Sequence, residues 1–95
     1  MSFHLHAEAK IYGVWEHFHC CNNDAFAATV KALAETIKNR GFPEDATVLS
    51  QRDCGFFSHS YSWLSAEEIA TLTGSVPMKT PECVEDVRFI FWFDD

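Results

Sequence analysis

The first ten residues of the chain alternate between apolar and polar side chains. The apolar positions are Phe3, Leu5, Ala7 and Ala9. A period of two is typical of a strand that buries one face. Tyr12 and Gly13 follow as the central residues of a tight turn, and residues 14–19 resume an extended, aromatic-rich pattern. This segment therefore predicts a β-hairpin.

The next segment carries apolar residues at helical spacing. They are Phe26, Val30, Leu33 and Ile37, at steps of four, three and four. Residues 22–24 are good N-cap residues, and Lys38 and Arg40 suit the negative end of the helix dipole. Gly41 fits the left-handed position that follows a helix. We therefore predict a helix over about residues 24–40.

The second half of the chain predicts shorter elements. Residues 46–57 have no clean period, which indicates a loop with room for a short strand. The motif S-x-x-E at residues 65–68 is a capping box, so a short helix should cover residues 66–73 and end at the following glycine. The buried side of this helix would carry Ile69 and Leu72.

The C-terminal segment predicts the centre of the sheet. Residues 87–93 are apolar almost throughout, which is typical of a central strand covered by a helix on one face and partly covered on the other. Residues 75–86 predict an irregular connection before it.

The length allows one domain, residues 1–95. The order of elements predicts an α+β fold. It has a mostly antiparallel sheet (the N-terminal hairpin plus the central C-terminal strand), one long helix packed on one face, and one short helix.

The charge of the chain narrows the classes of partner. Fourteen acidic and seven basic residues give a formal net charge of -7, which opposes attraction to nucleic-acid phosphates and anionic lipid. No apolar run approaches the roughly 20 residues of a membrane span, and the first residues lack a signal-peptide pattern. The four cysteines show no repeated spacing, which favours reduced, buried thiols in a cytosol. We expect neither nucleic-acid nor membrane binding.

The predicted hairpin gathers histidines on one face. With Tyr12 and Gly13 at the turn, the numbers of antiparallel partners sum to 25 (12 + 13), so Glu8 faces His17. The face opposite the apolar positions then carries His4, His6, Glu8, His17 and His19. Side chains across such a pair lie roughly 5 Å apart at Cβ, close enough for two or three imidazoles to share a zinc or nickel ion. The alternative, with no cofactor, is a polar sheet face exposed to water or to a partner subunit.

Residues 57–64, with the sequence Phe-Ser-His-Ser-Tyr-Ser-Trp-Leu, place an imidazole among hydroxyls and large rings. Nucleophilic catalysis would need Ser60 or Cys54 activated by His59 and an orienting acid. No G-x-S-x-G elbow or family cysteine signature is present, so we expect no catalytic residue and a protein that is not an enzyme. In the alternative interpretation, this segment is a loop that hydrogen-bonds to the next helix cap, while Tyr61 and Trp63 pack.

Several motifs together resemble a family of small accessory proteins from tailed phages and prophages. They are Gly13-x-Trp15-Glu16, Asn23-Asp24-Ala25-Phe26-Ala27, and the segments at residues 40–45, 59–64 and 87–94. The resemblance spans most of the chain. It implies a bacterial host cytosol as the setting and a protein that acts by binding.

By analogy with such accessory proteins, the first hypothesis is a non-enzymatic inhibitor of a host defence system, of anti-CRISPR type, that binds a host protein through an exposed aromatic and acidic surface. Exposed aromatic residues would make the contacts, because they are enriched at interface cores. The candidates are Tyr12, Trp15, Tyr61 and Trp63.

The second hypothesis is a homo-oligomeric binder of a small nucleotide, for example a homodimer, with a pocket between helix and sheet. The residues that would line this pocket are His59, Ser60, Tyr61 and Arg88. Because Arg88 alternates with Phe89 and Phe91, the other interpretation places it on a solvent-exposed face. The third hypothesis is the metal site on the histidine face.

Overall fold

In a computed structural model, the described part of the chain has an α+β fold with four strands and three helices. The structure describes residues 2–18, 24–37, 40–52, 55–74 and 82–94. The elements in chain order are β1 (Ser2–Ile11), β2 (Val14–Phe18), α1 (Asp24–Ala34), α2 (Val48–Arg52), β3 (Ser58–Ser65), α3 (Ala66–Thr73) and β4 (Val84–Asp94). Within these described ranges, no helix is long and apolar enough to cross a membrane.

The strands form one antiparallel sheet in the order β2-β1-β4-β3. β4 pairs with β1 on one side and with β3 on the other, which confirms the prediction of a central C-terminal strand. The pairing of β1 with β4 joins the two ends of the chain, with Phe3 opposite Phe93. The fold therefore depends on contacts between residues that are distant in sequence.

The β1–β2 hairpin turns at Tyr12 and Gly13, as predicted, and Glu8 is paired with His17. Both turn residues have positive φ, 51° at Tyr12 and 78° at Gly13. A two-residue loop with two positive φ values matches the right-handed twist of the flanking strands. Glycine adopts this conformation readily, whereas the β-carbon of tyrosine makes it unfavourable.

One face of the sheet packs against α1 and α3, and we name it the helix-covered face. Its buried core consists of Ala7, Ala9, Val30, Leu64, Ile69, Val87, Phe89 and Phe91. Phe3 and Leu5 pack against this core and are partly buried. The alternation seen in the first strand therefore identified its buried face correctly.

The opposite face of the sheet is covered by residues 40–52, and we name it the loop-covered face. Its apolar core consists of Ala46, Ile90 and Trp92, with Phe42, Tyr61 and Trp63 packed against it. Both faces of β4 are therefore buried, which explains why its sequence is apolar at consecutive positions.

The first helix is shorter than predicted, because α1 ends at Ala34 instead of near residue 40. The N–H and the hydroxyl of Thr36 both donate to the carbonyl of Leu33, at 3.0 and 2.8 Å. Such i−3 bonds tighten the chain into a turn in place of the next α-helical bond. The prediction of one long helix is therefore not confirmed, because α1 has 11 residues and is only three residues longer than α3, the predicted short helix, which has 8. The proposed caps at residues 22–23 and Lys38 lie outside the described residues.

Residues 40 and 41 run beside β3 and do not continue the helix. The N–H of Arg40 donates to Oγ of Ser62 at 3.2 Å, and the N–H of Gly41 donates to the carbonyl of Tyr61 at 3.0 Å. Gly41 has the expected positive φ, 85°, but it does not cap α1. These contacts cover part of the outer edge of β3, which hinders pairing with another strand.

β3 occupies the segment for which we predicted a loop. Its register with β4 shifts between His59 and Ser62, and Ser60 in this bulge has a positive φ of 58°. The alternation of serine with Tyr61 and Trp63 is a period-two signal that could have identified the strand. The β-bulge between His59 and Ser62 interrupts this alternation near the start of β3.

α2 lies in the stretch for which we predicted a loop with room for a short strand, and that prediction is wrong. Oγ1 of Thr47 accepts the N–H of Ser50 at 3.3 Å, which caps the first turn. The helix has only five residues, too few to show a period in the sequence.

α3 begins and ends as predicted, with a capping box between Ser65 and Glu68 and a left-handed Gly74 after its last residue. Ile69 is buried, whereas Leu72 is 56% exposed and lies beside an open groove that Glu67 also lines. The predicted burial of Leu72 is therefore wrong. Cys83, expected to be buried, is a free and exposed thiol.

We predict that Tyr12→Asn stabilises the protein. Asparagine adopts positive φ more easily than tyrosine, and the left-handed conformation costs an ordinary residue roughly 1–2 kcal/mol. The free energy of unfolding should increase by about 1 kcal/mol, measured by urea denaturation. Tyr12→Phe keeps the ring and should leave the denaturation midpoint unchanged. A lower midpoint for the asparagine variant would contradict this account of the turn.

Candidate functional site

A buried ion pair joins the two central strands. Arg88 on β4 donates from Nε and Nη2 to Oε1 of Glu8 on β1, at 2.8 and 2.7 Å. The two residues stand directly opposite each other in the β1–β4 register. Glu8 is 0% exposed and Arg88 is 7% exposed. Each charge needs the other, because a buried unpaired charge is strongly destabilising.

The second carboxylate oxygen of Glu8 fixes α2 over the sheet. Oε2 accepts the backbone N–H of Thr47 and the hydroxyl of Ser50, both at 2.8 Å. Burial by itself raises the pKa of Glu8, but these hydrogen bonds and those from Arg88 outweigh it, so the pKa lies below its usual value. The carboxylate is therefore ionised at neutral pH.

Two further residues surround Arg88 on the loop-covered face. Its Nη1 donates to Oδ1 of Asp45 at 2.7 Å, and its guanidinium carbon lies 3.8 Å from the centre of the Trp15 ring. The hydrogen bond from Arg88 holds the pKa of Asp45 below its usual value. The expectation that Arg88 decorates a solvent-exposed face is wrong, because its charge is paired in the interior.

Three of the predicted histidines, His4, His6 and His17, lie together on the loop-covered face, and we name them the histidine layer. The rings of His4 and His6 stack on Trp92, with centroid distances of 5.5 and 5.0 Å and interplanar angles of 12° and 9°. Nδ1 of His6 lies 2.9 Å from Nε2 of His17, so one ring donates its proton to the other. The indole N–H of Trp92 is buried and has no hydrogen-bond partner among the described residues.

The histidine layer differs from a typical metal site. Among the residues that the structure describes, no three His, Cys, Asp or Glu side chains are grouped so that they could hold a metal ion. Glu8, the carboxylate of the predicted set, is bound to Arg88, and His19 lies outside the described residues. Since structural zinc usually takes four protein ligands, the described contacts give the zinc or nickel hypothesis little support.

At one end of the sheet, Asp94 connects Ser58 with His4. Oγ of Ser58 donates to Oδ1 of Asp94, and Nε2 of His4 lies 2.7 Å from Oδ2. In a catalytic triad the imidazole stands between the serine and the carboxylate, whereas here the carboxylate stands between the other two groups. His59 and Ser60 form a separate pair, with Nδ1 at 2.9 Å from Oγ. The contacts join three strands and do not reproduce the order of a triad.

Arg40 attaches α3 to the residues beside β3. Its Nη1 and Nη2 donate to the two carboxylate oxygens of Glu68, at 2.7 and 2.6 Å. These bonds lower the pKa of Glu68 to about 2. The guanidinium carbon also lies 4.8 Å from the centre of the Trp63 ring. Arg40 therefore covers one of the aromatic residues predicted to contact a partner.

Three of the four predicted aromatic contact residues are engaged inside the fold. Trp15 and Trp63 each lie under an arginine guanidinium, and Tyr61 packs edge-on against Phe42. All three are partly buried. Tyr12 differs from them, because it is 87% exposed at the tip of the hairpin.

Exposed apolar side chains occur at both ends of the sheet. Tyr12 lies next to the exposed Val14 at one end. At the other end Phe56 and Phe57, just before β3, are 94% and 65% exposed, and their ring centroids are 5.1 Å apart. The sequence analysis missed Phe56 as a contact residue. Its signal was a pair of adjacent aromatic residues after a glycine, in a stretch without periodicity.

The residues proposed to bind a nucleotide do not all lie together. His59 is paired with Phe93 in the β3–β4 register, whereas Arg88 is paired with Ser65. These positions are five residues apart along β4, which corresponds to about 16 Å of extended chain. Arg88 also belongs to the loop-covered face, opposite α1 and α3, so it cannot line a pocket between those two helices and the sheet.

No known protein family, curated protein or solved structure matches the chain. The side-chain contacts described above are therefore the basis for assigning a function. They place paired charges in the interior and exposed aromatic side chains at the ends of the strands.

We predict that Glu8→Gln strongly destabilises the fold. The substitution removes the negative charge that neutralises buried Arg88, and breaking one side of a buried pair costs about 3–5 kcal/mol. Asp45→Asn removes a partner of the same guanidinium from an exposed position and should cost less than about 1 kcal/mol. Urea denaturation of both variants measures the difference. Equal losses would show that Glu8 is not the main partner of Arg88.

We predict that stability falls in acid. Glu8 and Glu68 both have a pKa in the folded protein below the ordinary value of 4.5, so the unfolded chain binds protons first as the pH drops. Their contribution is fully present above pH 4.5 and, for Glu68, is lost as the pH falls towards about 2. Thermal unfolding across this range measures the effect. Glu68→Gln should show a weaker dependence on pH, and an unchanged dependence would contradict the assignment.

Proposed function

We propose that the chain is a non-enzymatic protein that acts by binding another protein through exposed aromatic side chains. The observation that supports this most directly is the exposure of Tyr12 and of the pair Phe56–Phe57. Burial of a large apolar side chain is favourable by about 1.5–3 kcal/mol, so each ring can contribute substantially when a partner covers it. Aromatic residues are also the commonest anchors of protein interfaces.

The charged groups of the interior favour binding over chemistry. A general acid or base must exchange a proton with a substrate during the reaction. Glu8 instead accepts hydrogen bonds from Arg88, Thr47 and Ser50, and its pKa is lowered, which keeps it ionised. These contacts fix the fold of the loop-covered face.

The acidity of the chain favours a protein partner over a nucleic acid. The formal charge of -7 repels phosphates, and the acidic groups at the hairpin end are exposed. A protein with a basic surface would be attracted by the same field. The charge thus supports the class of partner, and the exposed rings support the mode of contact.

The resemblance to small phage and prophage proteins supplies the biological setting of the proposal. In that setting the chain works in a bacterial host cytosol and binds a component of a host defence system, as anti-CRISPR proteins do. The partner is then a host protein, and binding blocks its activity. This part of the proposal rests on the sequence motifs at residues 13–16, 23–27, 40–45, 59–64 and 87–94.

Affinity capture followed by reconstitution tests the proposal. The tagged protein is incubated with bacterial lysate, cross-linked, and any retained protein is identified and purified. Titration calorimetry with the purified partner should give a defined stoichiometry. Tyr12→Ala or the double variant Phe56→Ala with Phe57→Ala should weaken binding at least tenfold, the loss of about 1.4 kcal/mol expected for an anchor residue.

Native mass spectrometry of the untagged protein from the same lysate provides the contrasting outcome. A retained small molecule, together with calorimetry that shows no protein partner, would overturn the proposal in favour of a ligand binder. Binding to a purified partner that is unchanged in both aromatic variants would also overturn it. Thermal unfolding of each variant controls for loss of the fold.

A further inference from the structure

The tip of the β1–β2 hairpin combines an exposed apolar centre with an acidic surround. The centre consists of Tyr12 and Val14, both strongly exposed. The exposed acidic residues at the same end of the sheet are Glu16, Glu82, Glu85 and Asp86. We name these six residues the hairpin-tip surface. In the described part of this end, Lys10 supplies a positive charge opposite Asp86 in the register.

Tyr12 occupies a backbone position that a tyrosine rarely takes. Its φ is 51°, in the left-handed region that favours glycine, asparagine and aspartate in this type of turn. Tyr12 is 87% exposed, so packing of its side chain within the molecule offsets little of the free-energy cost of this backbone conformation. This backbone conformation is unfavourable, and it holds the Tyr12 ring away from the rest of the fold. Both features are consistent with a ring that contacts another molecule.

The turn itself is held in place by one of the acidic residues. Oε1 of Glu85 accepts the N–H of Gly13 at 3.0 Å, which links the tip of the hairpin to the start of β4. Glu85 belongs to the irregular step in the β1–β4 register between Lys10 and Ile11. The ring of Tyr12 is therefore presented from an anchored turn, and little ordering is needed on binding.

The charge of the acidic residues around Tyr12 and Val14 indicates the chemistry of the partner. Four exposed carboxylates around an apolar centre attract a surface that carries lysine and arginine, and they repel a second copy of the same tip. A mixed arrangement of this kind, with an aromatic centre and a charged rim, is the usual anatomy of a protein interface.

We infer that the hairpin-tip surface docks on a basic, lysine- and arginine-lined surface of a protein partner, with Tyr12 as the anchor. The inference rests on the proposed function and makes it specific, because it selects one of the two exposed aromatic sites. Phe56 and Phe57 lie at the opposite end of the sheet, where Asp94 is bound to His4 and Ser58. Phe56 is 94% exposed and Tyr12 is 87% exposed, so Phe56 provides a matched control.

A displayed library of random short peptides tests the inference even while the natural partner is unidentified. The folded protein is immobilised, and the enriched peptides are sequenced and synthesised. We expect an excess of lysine and arginine in these peptides. Tyr12→Ala should weaken their binding at least tenfold, whereas Phe56→Ala should leave it within about twofold.

Two further variants separate binding from folding. Tyr12→Asn relaxes the turn, so it should raise the melting temperature and still lose binding at least tenfold. The double variant Glu16→Gln with Glu82→Gln keeps the bond from Glu85 to the turn. It should weaken binding several-fold at low salt and much less at high salt, because screening acts on exposed charges.

The outcomes distinguish this inference from the broader proposal. Enriched peptides that are not basic, or that bind the Tyr12→Ala variant within twofold of the original, would overturn the inference. If binding of the enriched peptides depends on Phe56 instead of Tyr12, the proposal that the protein binds through exposed rings stands. The binding site then lies at the opposite end of the sheet. If no peptide is enriched, the inference falls, whereas the proposed function is decided separately by capture and calorimetry with a folded partner.

Discussion

Arg88 and Glu8 stand opposite each other on the two central strands, and both charges are withdrawn from water. A charge at this depth is tolerated only beside its partner, so β1 and β4 must keep the register that brings the two together. A slip of one residue between the two strands would put Glu8 and Arg88 on opposite faces of the sheet, with one of the two charges among the phenylalanines of the helix-covered face. The pair therefore fixes which face of the sheet receives the helices and which receives the loop.

The loop over the second face depends on the same pair. Thr47 and Ser50 bind Glu8, and Asp45 binds Arg88, so three residues within 45–50 converge on one ion pair. This attachment covers Ile90 and Trp92, and the stacked histidines of β1 extend the covered surface towards β2. His4 and His6, which the sequence suggested as possible metal ligands, thus pack against the indole ring of Trp92.

The arrangement has a consequence for function. Charges and rings in the middle of the sheet are engaged with one another, whereas large exposed rings occur at the two ends of the strands. The hairpin end adds four exposed acidic residues to its ring, which makes it different in charge from the end that carries Phe56 and Phe57. The proposed binding through one end of the sheet would need little rearrangement, because the paired interior already holds the strands in place.

The sequence by itself determined the features that depend on near neighbours. The period of two in β1, the turn at Tyr12 and Gly13, and the capping box before α3 each involve residues only a few positions apart, and each is present as predicted. The course of residues 40–41 beside β3, the pairing of β3 with β4 and the burial of Arg88 were decided by tertiary structure. The partner of Arg88 is Glu8, 80 positions away in the chain. A charged residue at an alternating position is equally compatible with water or with the interior until an opposite charge lies within hydrogen-bond distance, because burial is tolerated only for a charge that is paired.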